Sequence, residues 1–520
     1  MAPTNTFPLF GYERFFAMDH RTSAKIAHVM TLRGDIPTLL RHLPSAVLAT
    51  FNLHPKMRAA LLPGHSPLKA MICSQLADAA ELKSLYAITE TDDEAESPHW
   101  MQFVQEECEK PLNREQNLPF YIRVFVDKSA STTTTGFARV VLFADHYMSD
   151  PTSGAIILNS LLQNASILSS SDSAAKAVPT TELPLRPSLY ECMHWVNPWI
   201  GVLNEAVSKW FIEPLFNLDH SGFAPYLPLD MSTQQDFNCK PPEQGNPSAA
   251  LFSQGSTENM QHAIARCESE SASFQAALIV SAIMAHGLAK YNGRLRTCDA
   301  PVHLKMDVTC DMRKHLANNN TKFAFEEDVV GLYSTAANLV FTSSEGVDVH
   351  TTSFWDLARK VEHEVQCLLL NHEIKLQSVY IHETLNAENE DSSLKVQNCV
   401  LSDVTVANIG EYAYPRQIAL GGAFSVSSSV EVDTLHVYNS LPSLAPATML
   451  YASAVTCFNY SMMHKLQQEV AKDLFHWYMQ SVEHIGQYDQ ADTLVLASER
   501  FTAPLAVVVP LASAALSLQQ

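Results

Sequence analysis

The sequence predicts an α/β fold in which mixed sheets are flanked by helices. Strand-like and helix-like segments alternate from one end of the chain to the other, which favours layered α/β architectures over all-helical and all-β ones. No repeat of solenoid period is visible. The chain has 520 residues, 47% of them hydrophobic, and this exceeds what one hydrophobic core usually reaches, so we expect two domains.

The N-terminal part of the chain carries the clearest local signals. Asp35 followed by Pro37 is a helix start signal, and Pro44 is expected to bend or divide this helix. A second helix is predicted over residues 100–109. Three runs predict strands, at residues 26–32, 120–126 and 137–143.

A polar segment predicts how the domains are joined. Residues 166–187 are rich in Ser, Ala, Thr and Pro, a composition that buries little surface and suits a linker. We therefore expect an N-terminal domain over residues 1–165, a linker and crossover segment over 166–258, and a C-terminal domain over 259–520. In the last of these we predict helices at residues 273–290 and 354–370, and strands at 302–308, 404–408, 434–439 and 451–459.

The charge balance excludes one large class of partners. Asp and Glu total 55 against 34 Lys and Arg, which gives a formal net charge of −21. Such a field repels phosphate backbones, so nucleic acid is not expected as a partner. The ten cysteines are scattered without a CxxC pair, which indicates neither a zinc site nor a disulfide scaffold. Because the N-terminus also lacks the layout of a signal peptide, we expect a cytoplasmic protein.

An apolar tail raises the question of a membrane anchor. Residues 503–518 carry no charge and are rich in Ala, Val and Leu. The stretch is shorter than the roughly 20 residues that a spanning helix needs, and Pro504 and Pro510 interrupt it. We therefore expect a docked or loosely ordered tail and no stable membrane insertion, with a weak interfacial anchor as the alternative.

One short motif contains the candidate catalytic residues. Residues 144–151 read ADHYMSDP and follow the apolar run at 137–143. His146 thus lies where a strand gives way to a helix, and its near-neutral pKa lets it take a proton from an alcohol or amine and return it later. The alternative is structural, because Asp150 before Pro151 is a good N-cap and the histidine is then a satisfied buried side chain. The local sequence leaves both interpretations open.

Five segments in the expected order resemble the acyltransferase superfamily that includes nonribosomal condensation domains, plant BAHD acyltransferases, alcohol acetyltransferases and polyketide-associated acyltransferases. Residues 52–59, NLHPKMRA, resemble its RHPLLRA segment, and residues 118–124, LPFYIRV, resemble its PLFRVRL strand. The HxxxD motif at His146 follows one strand later. Residues 306–313, MDVTCDMR, are similar to the VDLR turn, and residues 406–410, VANIG, to the SNLG segment.

This resemblance implies two chloramphenicol acetyltransferase-like domains, each a mixed sheet flanked by helices, with a tunnel at their interface. His146 would be the general base that deprotonates a hydroxyl or amine acceptor as it attacks an acyl thioester. Acyl-CoA is the expected donor and a carrier-protein thioester the alternative, and no cofactor is expected to stay bound. The family is often monomeric, so we expect a monomer.

The resemblance also assigns a partner to the aspartate of the motif. In the family this carboxylate points away from the substrate and pairs with an arginine, which maps Asp150 onto Arg313. A buried carboxylate is costly unless it is paired, so this pair would stiffen the loop of His146. The alternative for Arg313 is an exposed turn residue, since surface arginines are the commoner kind.

Five further residues are expected near the tunnel. Tyr147, Met148 and Ser149 would shape its wall around the base, although Met148 equally suits a core position. Asn408 and Gly410 would lie where the second domain reaches over the tunnel, with Gly410 allowing close backbone approach. The alternative for these two is an ordinary strand end and turn.

Two positions depart from the family's pattern. Asp145 stands where condensation domains have the first histidine of a double-His motif, and Pro151 stands where the family has glycine. The first change argues against a peptide-forming condensation domain. The DFGWG motif of plant BAHD enzymes is absent from the sequence, which favours an alcohol acetyltransferase-like relative.

The sequence therefore predicts an HxxxD-type acyltransferase that moves an acyl group from a thioester to a small-molecule alcohol or amine. The alternative is a catalytically degenerate relative that keeps the two-domain shell as a binding or interaction protein, which Asp145 and Pro151 favour. A metal-dependent hydrolase with His146 and Asp150 as ligands ranks lowest. No third ligand stands at a recognisable spacing, so no metal site is predicted.

Overall fold

In the part of the chain that the structure describes, two six-stranded mixed sheets are flanked by helices and accompanied by a small three-stranded sheet. The α/β class predicted from the alternating pattern is therefore confirmed. The structure is a computed structural model that describes residues 6–18, 23–64, 68–91, 99–127, 136–170, 181–193, 223–230, 249–319, 328–370, 400–421, 428–441 and 445–502.

The elements are numbered along the chain within these residues. The strands are β1 (Thr6–Pro8), β2 (Lys25–Gly34), β3 (Ala59–Leu62), β4 (Lys69–Ile72), β5 (Tyr86–Thr91), β6 (Phe120–Asp127), β7 (Gly136–Asp145), β8 (Ala249–Gln254), β9 (Met306–Asp311), β10 (Ser334–Asn338), β11 (Val404–Glu411), β12 (Gln417–Leu420), β13 (Ser428–Asn439), β14 (Thr448–Ala454) and β15 (Phe458–His464). The helices are α1 (Gly11–Met18), α2 (Ile36–Leu53), α3 (His99–Glu109), α4 (Pro151–Ser170), α5 (Leu189–Cys192), α6 (Thr257–Ser269), α7 (Phe274–Lys290), α8 (Arg313–Asn319), α9 (Val340–Ser344), α10 (Phe354–Leu370), α11 (Gln468–Glu483) and α12 (Leu494–Thr502).

The first sheet has the strand order β12-β13-β2-β7-β6-β5. Its neighbours pair antiparallel except β5 and β6, which run parallel. The central strand β7 is buried at every position from 137 to 145. Burial on both faces explains why this segment is a continuous apolar run in the sequence. The run ends at Asp145, where the candidate site begins.

Pro44 was expected to bend or divide α2, and the division is wrong, because the helix is continuous from Ile36 to Leu53. Asp35 caps the first turn, and the stripe formed by Leu39, Leu43 and Val47 is buried. An interior proline costs about 3 kcal/mol, whereas burial of each such apolar side chain contributes roughly 1.5–3 kcal/mol. The buried face therefore outweighs the proline.

The second sheet has the strand order β10-β9-β11-β14-β15-β8. Strand β11 runs parallel to β9 and β14, and the other neighbours pair antiparallel. Helix α7 is buried from residue 276 to 288, which confirms the predicted core helix. The sequence prediction of one strand over 451–459 is wrong, because β14 ends at Ala454 and β15 begins at Phe458. The intervening residues Val455, Thr456 and Cys457 carry no Gly, Pro or Asn, so the turn lacks the usual signal.

The strands of the two sheets cross the predicted chain divisions. Strands β12 and β13 lie within 259–520 yet form one edge of the first sheet, and β8 lies within 166–258 yet pairs with β15. Strands that pair in a sheet can be far apart in the chain, so local composition does not predict which strands are neighbours. The boundaries at 165 and 258 stay a prediction of how the chain divides.

Aromatic side chains pack where the two sheets meet. The ring of Trp100 on α3 lies 5.1 Å from that of Phe252 on β8 and 5.6 Å from that of His436 on β13, measured between centroids. The His436 imidazole also bonds through Nε2 to the carbonyl oxygen of Ser253, at 3.1 Å. Strand β13 thus joins the first sheet to the second.

The predicted linker and the apolar tail lie partly or wholly outside the described residues. Helix α4 continues to Ser170, so the first residues of the predicted linker at 166–187 are helical. The apolar tail at 503–518 lies outside the described residues.

Among the helices that are described, none alone is long and apolar enough to cross a membrane, and α6 with α7 pass that test only as a pair bent by 109°.

Candidate active site

His146 lies in the turn that links β7 to α4. Its backbone N–H donates to the carbonyl oxygen of Ala24 at 2.7 Å, and the N–H of Met148 donates to that of Asp145 at 3.1 Å. Pro151 then starts α4, as expected for a proline in the first turn of a helix. The histidine is therefore held by the backbone at the end of a buried strand, which is the position that the sequence predicts.

The hydrogen bonding of the His146 imidazole defines its tautomer. Nδ1 lies 2.7 Å from the carbonyl oxygen of Ser149. A carbonyl oxygen only accepts, so Nδ1 carries the proton and Nε2 keeps its lone pair. Nε2 has no hydrogen-bond partner among the described residues.

Burial keeps this imidazole neutral. Burial lowers the pKa of His146 below its ordinary value, although the bond to Ser149 and the charge of Asp150 act in the opposite direction. Its side chain is 7% exposed, and the ring of Phe16 on α1 stacks on it with 4.2 Å between the centroids and 9° between the planes. A neutral ring with an open lone pair on Nε2 can accept a proton.

Asp150 is fully buried and pairs with Arg313 through two hydrogen bonds. Nη1 and Nη2 of Arg313 each donate to one carboxylate oxygen at 3.0 Å. The backbone N–H groups of Ser153 and Tyr333 donate to the same carboxylate, both at 2.8 Å. Burial opposes ionisation, but the Arg313 charge and these bonds outweigh it and hold the pKa of Asp150 below its ordinary value. The bond from Ser153 makes Asp150 an N-cap as well, so the two interpretations of this residue coexist.

Arg313 is buried, which rules out the exposed turn residue that was its alternative. Its side chain is 2% exposed and Nε donates to the carbonyl oxygen of Val329 at 3.0 Å. Arg313 follows β9 of the second sheet, whereas Asp150 follows β7 of the first. The ion pair therefore links the two sheets beside His146.

Tyr147, Met148 and Ser149 support the turn from inside the protein. All three side chains are fully buried. The Tyr147 hydroxyl donates to the carbonyl oxygen of Ala59 at 3.4 Å, and Met148 lies in the hydrophobic core that surrounds the first sheet. Their predicted contact with a substrate at a tunnel wall stays a prediction.

Asn408 and Gly410 form a bulge in β11. The register with β14 shifts between them, and the Asn408 side chain accepts a hydrogen bond from the Gly410 N–H at 2.9 Å. Gly410 has a φ of +82°, and no described atom lies within 4 Å of where its Cβ would be. The close backbone approach expected at Gly410 is therefore wrong for the described residues, and the positive φ is what favours glycine here. In the part of the chain that the structure describes, no hydrogen bond joins either residue to His146.

Asp145, one of the two departures from the family's pattern, forms a buried ion pair that the sequence analysis missed. Nε of Arg114 donates to its carboxylate at 2.7 Å, and both side chains are 1% exposed. The carboxylate also accepts from the Tyr147 N–H at 3.4 Å. The signal was present, because a carboxylate that ends an apolar strand needs a cation, but nothing in the sequence identified which one.

His28 on β2 packs directly behind the turn. Its Nε2 lies 2.9 Å from the carbonyl oxygen of Pro151, so Nε2 is the donor. A Cβ placed on Gly154 of α4 would lie 2.1 Å from His28 Cε1, so only glycine fits there without movement.

Gly154→Ala therefore tests this packing. In a helix interior, alanine is usually about 1 kcal/mol better than glycine. We expect the opposite sign, a loss of about 1–3 kcal/mol in the free energy of unfolding, because the buried ring has to move. Urea unfolding followed by circular dichroism measures it, and a variant more stable than the wild type would contradict the packing.

Cavities of about 460, 260 and 20 Å³ lie elsewhere among the described residues. The largest is lined by groups that include Lys25, Glu107 and Tyr121, and the second by groups that include Ser273 and Glu362. None of the three has His146 in its lining. The tunnel expected beside His146 stays a prediction. No described group of three or more His, Cys, Asp and Glu side chains is arranged to hold a metal ion.

The two paired sheets correspond to a known architecture. The protein has the two-domain chloramphenicol acetyltransferase-like fold, which solved structures of an O-acetyltransferase and of condensation domains share. The trichothecene 15-O-acetyltransferase TRI3 from Fusarium sporotrichioides superimposes with a TM-score of 0.67 at 9% identity, covering 92% of this chain and 95% of that one.

Two further solved structures have the same fold. The first condensation domain of the CDA synthetase has a TM-score of 0.57 at 13% identity and covers 94% of this chain and 98% of its own. The polyketide synthase associated protein 5 from Mycobacterium tuberculosis has a TM-score of 0.52 at 14% identity and covers 93% and 99%. No family model and no curated protein matches the sequence. Such low identities show the fold alone.

Proposed function

We propose that this protein is an acyltransferase that moves an acyl group from an acyl thioester to a hydroxyl or amine, with His146 as the general base. Acyl-CoA is the proposed donor and a carrier-protein thioester the alternative. The observation that carries the proposal is the neutral imidazole whose Nδ1 is bonded to Ser149 and whose Nε2 is unbonded among the described residues. The fold, which a solved 15-O-acetyltransferase shares, supports it.

The reaction follows from that tautomer. Nε2 accepts the proton of the acceptor O–H or N–H while the acceptor oxygen or nitrogen bonds to the thioester carbonyl carbon. The tetrahedral intermediate then collapses, the C–S bond breaks, and the imidazolium returns the proton to the leaving thiolate. The products are the ester or amide and the free thiol. No acyl-enzyme is formed and no cofactor is consumed.

Buried ion pairs hold the base in place without touching the reacting atoms. Asp150 with Arg313 anchors the turn on its α4 side, and Asp145 with Arg114 anchors it on its β7 side. Their role is orientation, since a general base acts only within hydrogen-bond reach of the proton it takes.

Thioester consumption tests the proposal. The full chain is incubated with acyl-CoA of several chain lengths and a panel of alcohols and amines, and thiol release is followed with a chromogenic disulfide. Release that depends on an acceptor, with an acylated product of the expected mass, supports the transferase. Binding of acyl-CoA without release supports the alternative, a non-catalytic binding protein, which the low exposure of His146 favours.

The pH dependence of transfer follows from the lowered pKa of His146. Burial favours the neutral ring, so the base form persists to lower pH than in a free histidine, whose pKa is about 6.5. We expect kcat/KM to stay constant from about pH 8 down to about pH 6.5 and to fall at lower pH as the ring is protonated. An acid limb centred above the pKa of free histidine would contradict the assignment.

We further propose that the protein acts as a monomer in a reducing compartment such as the cytoplasm. The eight cysteines in the described residues are free thiols, and six of them are buried. Scattered buried thiols are typical of proteins that are not exposed to oxidising conditions. Light scattering of purified protein tests the monomer, and fractionation of the source cells tests the location.

A further inference from the structure

Phe16 makes a face-to-face contact with the proposed base. The two ring planes differ by 9° and their centroids are 4.2 Å apart. The bond from Nδ1 to Ser149 fixes one atom of the imidazole. A second contact on the face of the ring is needed to fix its plane, because the side chain rotates about two bonds. Phe16 supplies that second contact.

Helix α1, which carries Phe16, is anchored to the residues around Asp150. The carboxylate of Glu13 lies 3.3 Å from Nζ of Lys56, and both side chains are buried. The same Nζ lies 3.4 Å from the Tyr333 hydroxyl and 4.8 Å from the centroid of its ring. The Tyr333 N–H donates to Asp150, which lies in the turn of His146. The turn is thus connected through Tyr333 and Lys56 to α1, and α1 in turn contacts the His146 ring through Phe16.

Tyr190 anchors the N-terminal end of α1 as well. Gly11 has a φ of +50°, and the ring of Tyr190 occupies the space where its Cβ would lie. The Tyr190 hydroxyl also accepts a hydrogen bond from the Tyr12 N–H at 3.3 Å. The phenyl ring of Phe16 is therefore presented by a helix whose first turn is attached at two points, through Glu13 and through the contacts of Tyr190.

We propose that Phe16 is a positioning residue, which holds the plane of the His146 imidazole so that Nε2 is oriented for proton transfer. The inference rests on the proposed acyl transfer. This effect acts on the reaction step and leaves the binding of the acyl donor unchanged.

Three variants separate this role from general packing. Phe16→Leu removes the flat ring, and Phe16→Tyr retains it. Phe103→Leu is the matched control, because Phe103 is also half-buried and packs edge-on against Phe125 and Phe143, whereas the ring contact to His146 is made by Phe16. Each variant is assayed as the full chain with the acyl-CoA and acceptor that the wild type uses.

Phe16→Leu is expected to lower kcat by about 10- to 10²-fold, the range that a small misplacement of a catalytic group produces, with KM for acyl-CoA within about twofold of wild type. Phe16→Tyr should restore most of the rate, and Phe103→Leu should keep it. An equal loss in Phe103→Leu, or a change in KM alone, would overturn the inference.

A spectroscopic measurement decides the point without any assay of activity. Histidines are labelled with ¹³C at Cε1, and the His146 signal is assigned by its loss in His146→Gln. In the wild type the stacked phenyl ring shifts the Cε1–H proton upfield, and we expect Phe16→Leu to remove this shift. Its titration midpoint should also rise toward that of a free histidine, because water reaches the exposed face.

The other groups that act on the imidazole stay in place in this variant. They are Asp145 and Asp150 on its own turn and His28 on β2. A His146 signal that is identical in Phe16→Leu and wild type overturns the inference even if transfer is intact. A wild type that transfers no acyl group removes the proposed function, and the same spectrum then still reports whether Phe16 holds the ring.

Discussion

His146→Ala is expected to lower the rate of acyl transfer by at least about 10²-fold, the share that a general base usually contributes. The turn should keep its backbone, because Asp150 and Arg313 hold it through bonds that do not involve the imidazole. The measurement is thiol release at saturating acyl-CoA, with circular dichroism and the melting temperature as the check on folding.

His286→Ala is the matched control for this variant. The His286 imidazole is 1% exposed, burial lowers its pKa to about 4, and its Nδ1 lies 2.7 Å from the carbonyl oxygen of Ala282. It thus repeats the burial and hydrogen bond of His146 inside α7, away from the candidate site. We expect it to lose stability and keep its rate. Near-wild-type turnover in His146→Ala would remove the histidine from the mechanism.

Arg313→Met is expected to destabilise the protein by about 3–5 kcal/mol, because it leaves the fully buried Asp150 carboxylate without its cation. Transfer should fall with it, since the ion pair anchors the turn of His146. Urea unfolding measures the loss. The control is Arg33→Met, whose ion pair with Asp433 is formed by a side chain that is 56% exposed, and we expect it to cost less than about 1 kcal/mol.

The double variant Asp150→Asn with Arg313→Met separates the ion pair from packing. Removing both charges leaves no buried unpaired ion, so part of the stability lost in Arg313→Met should return. Independent, additive losses would contradict the pairing. The pH dependence has a definite sign, because the folded pKa of Asp150 lies below its ordinary value of 3.8. Its contribution is fully present above about pH 4 and is lost as pH falls through the folded pKa.

The local part of the candidate site is predictable from the sequence. The apolar run at 137–143, the histidine at its end, and Asp150 before Pro151 specify a strand, a turn and a capped helix within fifteen residues. The structure has β7, the turn and α4 in these places. Backbone preferences, helix capping and the pattern of apolar residues each depend on only a few neighbouring residues, so they can be predicted from a short stretch of sequence.

The side chains that surround this turn are not predictable in the same way. Arg114 opposite Asp145 and Phe16 on the ring of His146 come from elements that the sequence does not connect with the motif. Arg313 was assigned only through a resemblance to a family, and no property of its own neighbourhood in the chain predicted its burial. Each of these contacts depends on the tertiary structure, which places a segment that is distant in sequence beside the turn.

The same distinction applies to the fold. The sequence by itself determined the α/β class, the core helix α7 and the strand, turn and capped helix of the β7–α4 connection, because these depend on composition and short-range spacing. Only the tertiary structure decided that β12 and β13 complete the first sheet, that one apolar run is a hairpin, and that His146 is covered by α1. Strand pairing and the burial of charges in pairs are settled by the assembled core, whose contacts join residues that are far apart in the chain.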